Sequence, residues 1–365
     1  MQIRRVQVYA VRYTLAGGAF TMSGGRVASE QDATVVRVET DDGLVGWGEQ
    51  CVFSPNFLPA HGGGARATIA LLAPAVLGAD PRQVELVYAR MDAAVKGHAY
   101  AKSALDIACW DLFGKATGMR VSDLLGGTHQ EEFPLYTGIG VAEPAEMRRR
   151  AEDAVAAGYR QIQLKVGTGW REDIERVEAC LEALGGAERV IVDANGIWTQ
   201  ADATRVVAAL EHLDLYIEQP CATIAECAAV RARSRRPFVL DESLTDLAAL
   251  ERGRVAADAV RLKLSQFGGI TPIRRARDLA AAWGLAMTLE DSGGGDVVTA
   301  AMAHLSCSVP PRLLLNGFLV GEMVSERIAS GAPRADHGRA RLPAGPGLGV
   351  EVDETALVPP LLVVE

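Results

Sequence analysis

From residue 133 onward the chain repeats a short apolar run followed by a stretch of helical periodicity. The runs are FPLYT, IQLK, VIVDA, LYIE, FVLD, VRLK, MTLE and LLLN, and seven helix-patterned segments, from PAEMRRRAEDAVAAG to DVVTAAMAHLS, separate them. Runs such as VIV and FVL show no polar alternation, as expected of strands buried on both faces of a parallel sheet. Eight such units predict a closed barrel over an open doubly wound sheet. No GxGxxG follows the first strand, as a dinucleotide-binding fold would require. The expected fold is α/β: a (β/α) barrel of modified TIM type over residues 126–330.

Residues 1–125 follow a different rhythm. IRRVQVYAV, ATVVRVET and GLVGWGEQ alternate with period 2, and DDG at 41–43 marks a tight turn between two of them. Helical periodicity follows over about 64–95 and 98–117, and small residues in the second segment predict close packing. This is an α+β capping domain. The tail, 331–365, is rich in Gly and Pro (LPAGPGLGV) and is expected to pack back on it.

Composition narrows the class. With 49 % hydrophobic and 23 % charged residues the chain can fill a large core. A net charge of −9 without a basic run argues against a nucleic-acid partner. Six scattered cysteines with no CxxC predict buried thiols in a reducing compartment. MQIRRVQVYAV lacks a signal-peptide pattern, and no apolar stretch reaches the roughly 20 residues that span a bilayer. The expectation is a cytoplasmic protein without a membrane partner.

The residue that closes each run carries the chemistry. Lys165, Asp193, Glu218, Asp241, Lys263 and Glu290 end six consecutive runs, 22 to 28 residues apart. In a parallel barrel such positions converge on the C-terminal rim. Three carboxylates with no histidine or cysteine form a hard oxygen site suited to Mg²⁺, with Mn²⁺ as substitute. A strand-end aspartate can also cap the next helix, but three in register favour the metal. Lys165 and Lys263 would flank a metal-bound carboxylate substrate from opposite faces. Near a metal and partly desolvated, a lysine is expected at a lowered pKa, ready to act as a base. One would remove an acidified α-proton and the other return it. Asn195 orients the metal shell or makes a turn. Glu290 and Asp291 could engage a polar substrate group or a lysine. His61 in HGGGAR reads as loop chemistry, and Trp198 and Trp283 as packing.

With GLVGWGE, SALDIACWDLFGK, LLGG at 124–127, LKV, VDANG, IEQP, LDES, RLKLSQFGG and PGLGV in place, the chain resembles the enolase superfamily over its whole length. Within it, the likeness is to the muconate lactonizing enzyme subgroup of the mandelate racemase family. That resemblance implies Mg²⁺ on Asp193, Glu218 and Asp241, with Lys165 and Lys263 as the acid/base pair. It also implies two capping loops over the pocket, about 15–25 and 51–62, with Phe20, Phe53 and Phe57 as substrate contacts, and an even-numbered homo-oligomer. Many members carry Lys-x-Lys on the second strand; Gln163 stands at the first of these positions, which leaves the base and removes a cation that would tune it. No histidine ends the seventh strand, which excludes the Lys/His-Asp arrangement. LLLNGFLVGE lacks the Asp-x-Asp of dipeptide epimerases. SGGR, PAHG and EDSGGGD are similar to members that epimerise proline betaine and hydroxyproline betaine, or dehydrate cis-3-hydroxy-L-proline. The resemblance therefore implies first a racemase or epimerase of a proline-type amino acid or betaine, acting through a metal-stabilised enolate. A dehydratase comes second and a muconate-type cycloisomerase third. A barrel whose carboxylates hold only structural calcium is the non-enzyme alternative.

Overall fold

A computed structural model describes residues 1–365. Strands Ile3–Thr14, Glu30–Thr40 and Val45–Gln50 form an antiparallel sheet, and Leu362–Val364 adds to the free edge of the first. The chain's end thus returns to its beginning. Three helices cover this sheet: Gly62–Val76, Val84–Ala94 and Ala99–Thr117. The periodicity over 64–95 had suggested one helical segment, and the structure divides it in two. Gly78 takes a left-handed φ of 71° and Pro81 follows, and neither continues a helix.

The third helix is buried along most of its length because strand Val45–Gln50 offers it glycines. A Cβ on Gly48 would stand 1.8 Å from the Ala104 carbonyl oxygen, so only glycine permits this approach. The small residues seen in the sequence serve that contact.

Eight parallel strands follow in sequence order: Tyr136–Ile139, Gln161–Lys165, Arg189–Asp193, Tyr216–Glu218, Phe238–Leu240, Ala259–Lys263, Ala286–Glu290 and Leu314–Asn316. A parallel bridge between Leu135 and Gly317 joins the eighth to the first, with Tyr136 N–H donating to Gly317 O at 3.0 Å. The run FPLYT divides at this point. Pro134 has no N–H to give a ladder; Glu132–Pro134 pairs antiparallel with Arg339–Arg341 of the tail, and the barrel strand starts at Tyr136. Seven main helices alternate with the barrel strands, as the pattern predicted. Several begin on side-chain caps: Thr199, Asp246, and Thr223 in a reciprocal box with Glu226. Ile191, Val239, Ala259 and Leu315 fill the barrel interior with an apolar layer.

The two parts meet through buried polar groups. Glu49, fully buried in the capping domain, accepts the N–H groups of Gly295, Val297 and Val298 at 2.7, 3.2 and 3.0 Å, and Tyr13 Oη–H at 2.7 Å. A carboxylate from one domain therefore caps helix Asp296–Cys307 of the other, where unpaired donors and the helix dipole favour negative charge. Trp110 Nε1–H donates to Thr271 Oγ1 at 2.9 Å across the same joint. All six cysteines are buried and unpaired. No helix is long and apolar enough to cross a membrane.

Candidate active site at the barrel mouth

Strand register sets the charged residues side by side. Lys165 is the cross-strand neighbour of Asp193, Asp193 of Glu218, and Lys263 of Glu290. Lys165 and Lys263 sit on the second and sixth of eight strands, so they face each other across the mouth.

On the Lys165 flank, Nζ lies 2.5 Å from Asp193 Oδ2. Gln163, two residues earlier and on the same face, donates Nε2–H to Asp193 Oδ2 at 3.1 Å and Glu218 Oε2 at 2.9 Å. Asn195 donates Nδ2–H to Asp193 Oδ2 at 3.0 Å and Glu242 Oε1 at 2.9 Å, and its own N–H to Asp193 Oδ1 at 2.8 Å. Its φ of 44° is left-handed, a region asparagine tolerates. Ser23 Oγ–H, from a capping loop, reaches Asn195 Oδ1 at 2.9 Å. Asn195 is thus a turn residue whose side chain hydrogen-bonds both Asp193 and Glu242.

On the opposite flank Lys263 contacts Asp241 closely and lies 3.5 Å from Glu290 Oε1. Beneath it Arg261, fully buried, donates to Glu290 Oε2 at 2.8 Å and stands 2.6 Å from Glu218 Oε1. Tyr136 Oη–H donates to Glu290 Oε2 at 2.8 Å, and its ring lies 4.3 Å from the Arg261 guanidinium and stacks on Phe318 at 4.8 Å.

Sequence reasoning passed over Arg261, Glu242, Tyr136 and Phe318. Arg261 was within reach: it lies two residues before Lys263, so the period of a strand puts both on one face. Glu242 directly follows Asp241. Nothing in the sequence pointed to the pairing of Tyr136 with Phe318, which joins the first residue of the first barrel strand to a residue just past the eighth.

The lysines are shifted against expectation. Burial lowers both, but Asp193 and Glu218 outweigh it at Lys165, and Asp241, Glu242 and Glu290 outweigh it more strongly at Lys263, so both lie above the ordinary lysine value. Burial, opposed by Arg261 and reinforced by Asp193 and Asp241, pushes Glu218 up to about 8. Burial and Asp241 drive Glu242 well above the carboxylate range.

As placed, Asp193, Glu218 and Asp241 do not present their oxygens to one common point. Each turns to its own cation: Lys165, Arg261 and Lys263. The donor set nevertheless fits a divalent cation on two counts. Five carboxylates (Asp193, Glu218, Asp241, Glu242, Glu290) share three cations, and the two that burial drives to hold their protons, Glu218 and Glu242, would be ionised by a further positive charge. Glu218 Oε1 and Glu242 Oε2 are buried with no hydrogen-bond partner, since Arg261 Nε is near Glu218 but misaligned. Buried acceptors left unpaired are costly unless something positive meets them.

Above these groups lies a cavity of about 130 Å³, close to the ~150 Å³ of an engineered cavity that holds one benzene. Phe20, Phe53 and Phe57 line it from the two capping loops, with Phe20 and Phe53 edge to face at 6.0 Å. Lys165, Lys263, Asp241, Glu290 and Asp291 line it from the barrel, and Met22, Tyr136, Phe318 and Met323 complete its apolar wall. His61 lies outside it and caps helix Gly62–Val76 by accepting Gly64 N–H on Nδ1 at 3.1 Å. Trp198 is buried and donates Nε1–H to Asp173 at 2.8 Å. Trp283 ends helix Ile270–Ala282 under the Arg254 guanidinium.

Comparison with known proteins agrees with this architecture. Residues 3–126 match the N-terminal domain of mandelate racemase / muconate lactonizing enzyme, and 146–356 the enolase C-terminal domain-like family. The chain is 42 % identical to a cis-3-hydroxy-L-proline dehydratase of Roseibium aggregatum, over 96 % of each chain. It is 30 % identical to an N-succinyl-L-Arg/Lys racemase of Bacillus cereus over 98 % of this chain and 97 % of that one. A member of the enolase superfamily from Roseovarius nubinhibens ISM, complexed with magnesium, superposes with a TM-score of 0.92 at 37 % identity, covering 100 % of this chain and 99 % of that one. The chain belongs to the mandelate racemase/muconate lactonizing enzyme family of the enolase superfamily.

Proposed function

We propose that this family member removes the α-proton of a small proline-type carboxylate and then expels a 3-hydroxyl, a dehydration of cis-3-hydroxy-L-proline or a near analogue. The observation that carries this reading is the placement of two lysines on opposite sides of a cavity sized for one small ring. In the cis isomer the hydroxyl shares the ring face of the carboxylate, so the α-hydrogen lies on the other face. One lysine Nζ would take that proton while the opposite lysine gives a proton to the departing hydroxyl, which leaves as water. The net change is loss of water, and the resulting enamine tautomerises to a cyclic imine. The 42 % identity to a cis-3-hydroxy-L-proline dehydratase supports the same choice.

Asp193, Glu218 and Asp241 would hold Mg²⁺, with Gln163 and Asn195 orienting them; Mn²⁺ would substitute. When bound, the ion would offset charge that develops on the substrate carboxylate and compete for the acids that now hold the lysines high. Arg261 keeps Glu218 and Glu290 in place from below, and Phe20, Phe53 and Phe57 shield the ring from water. The same two lysines suit epimerisation, and likeness to an N-succinyl-L-Arg/Lys racemase favours that as the second reading. An even-numbered homo-oligomer is part of the proposal, to be read by sedimentation.

Proton NMR in D₂O with Mg²⁺ tests the choice, using cis-3-hydroxy-L-proline, both enantiomers of proline and their betaines. A new imine product from the hydroxylated substrate is the expected result. Loss of the α-signal without a new compound would move the assignment to epimerase, and no exchange in any of them would sink the proline class. Independently of turnover, Mg²⁺ at 100 times its dissociation constant should stabilise the fold by about 2.7 kcal/mol, and Asp193→Asn should remove that gain.

A further inference from the structure

Glu290 and Asp291 end the seventh barrel strand side by side, yet their surroundings differ. Glu290 is saturated: Arg261 and Tyr136 donate to Oε2, both at 2.8 Å, and Lys263 stands 3.5 Å from Oε1. Asp291 is 1 % exposed, lines the same cavity, and receives only neutral donors. Ser265 gives Oδ2 its N–H at 3.0 Å and its Oγ–H at 2.5 Å, and Ser292 N–H reaches Oδ1 at 2.8 Å. Lys263, whose charge acts on it, is held by Asp241 and Glu290 instead. Burial accordingly pushes the carboxyl up to about 7. Beside it Ser292 Oγ lines the cavity with no partner. Of the three acids that line the cavity, Asp241 and Glu290 both meet Lys263, and Asp291 alone has no ion pair.

We propose that Asp291, with Ser292 Oγ, receives the ammonium group of the substrate, so that the site takes an α-amino acid whose nitrogen is free and charged. This rests on the reading that the substrate is a carboxylate positioned between the two lysines, and it narrows the class. An N-acylated amino acid has no charge to offer and would leave Asp291 buried without a counter-ion. A diacid without nitrogen would set a like charge against it. A quaternary betaine keeps the charge but has no N–H to donate, so it binds more weakly than a secondary ammonium. Fixing carboxylate and nitrogen at separate points leaves the α-carbon little freedom to turn. Asp291 is a specificity-determining residue here and moves no proton of the reaction.

Calorimetric titration of the Mg²⁺-loaded enzyme with matched pairs tests this: L-proline against N-acetyl-L-proline, and L-alanine against N-acetyl-L-alanine. The wild type should prefer the free amine about 100-fold, the scale set by leaving one buried polar group unpaired. Asp291→Asn should lose that preference while binding the N-acetyl form at least as well as the wild type does, which also shows that the variant is folded. Ser292→Ala should lose only part of it. Retention of the preference in Asp291→Asn, or its absence in the wild type, including absence of binding, overturns the assignment. An equal preference in the alanine and proline pairs keeps the role of Asp291 and removes the ring from the proposed substrate. Tight binding of both proline forms would do the reverse.

Discussion

Lys165 and Lys263 occupy matching places on opposite flanks of one cavity, but in unlike company. Lys165 leans on one carboxylate, Asp193, above a neutral glutamine. Lys263 lies between Asp241 and Glu290, above a fully buried arginine that contacts Glu290 and one further acid, Glu218. One flank is lightly charged and held by neutral hydrogen bonds; the other is densely charged and held by ion pairs. The second flank also carries Asp291, which has no cation of its own. The difference suggests a division of labour. Both lysines would exchange protons, and the Lys263 side would in addition read substrate charge through Asp291.

The largest effect should come from the lysines themselves. Lys165→Ala and Lys263→Ala should each slow turnover about 10³-fold, within the usual range for lost acid–base groups, measured by proton NMR. Exchange in D₂O sharpens the contrast. Under dehydration, one variant should still exchange the α-proton of the substrate without expelling water, whereas under epimerisation each variant should lose exchange with one enantiomer only. Equal wild-type rates in either variant would break the two-lysine scheme.

Arg261→Met comes next. It removes the cation that Glu218 and Glu290 share, leaving Glu218 with Gln163 alone, and should cost about 3–5 kcal/mol in urea unfolding. Gln163→Met, its counterpart on the other flank, should cost only about 1–2 kcal/mol, because Asp193 keeps Lys165 and Asn195. Equal losses would mean that the flanks are not held differently.

The third test is pH. A carboxyl whose folded value is raised, as at Asp291, contributes its full stability below its ordinary value near 3.8 and loses it as pH rises through about 7. In EDTA, Asp291→Asn should therefore be more stable than the wild type above pH 7, by about 4 kcal/mol on the linkage scale, and no more stable at pH 4. A variant less stable at both pH values would show that the Ser265 and Ser292 hydrogen bonds outweigh the buried charge. The smallest effect should be that of Gln163→Lys. A second cation beside Lys165 should move the acid limb of its exchange profile to lower pH while changing the rate at pH 7 by less than about tenfold.

Much of this was legible in the chain. A helix period near 3.6 shows wherever burial is one-sided, and strands buried on both faces read as continuous apolar runs, so the eight runs and seven helices of the barrel can be located from the sequence. The strand-end charges Lys165, Asp193, Glu218, Asp241, Lys263 and Glu290 could be read because a closed parallel sheet gives every strand end the same destination. The division of the segment over 64–95 was missed although Gly78 and Pro81 mark it, and the detachment of Glu132–Pro134 from the barrel followed from Pro134.

What the sequence by itself determined is the architecture and the inventory of charge at the mouth, because both depend on local periodicity and on which residue closes each run. Only the tertiary structure decided how that charge is shared. Arg261 serves Glu218 and Glu290, residues 43 positions upstream and 29 downstream in the chain, while Asp291 is left without a cation. The direction of the lysine shifts was decided there as well. Desolvation is a property of burial, but the acids that overrule it reach the lysines across strands and through space. Coulomb energies at a few ångströms depend on distances that no sequence spacing encodes.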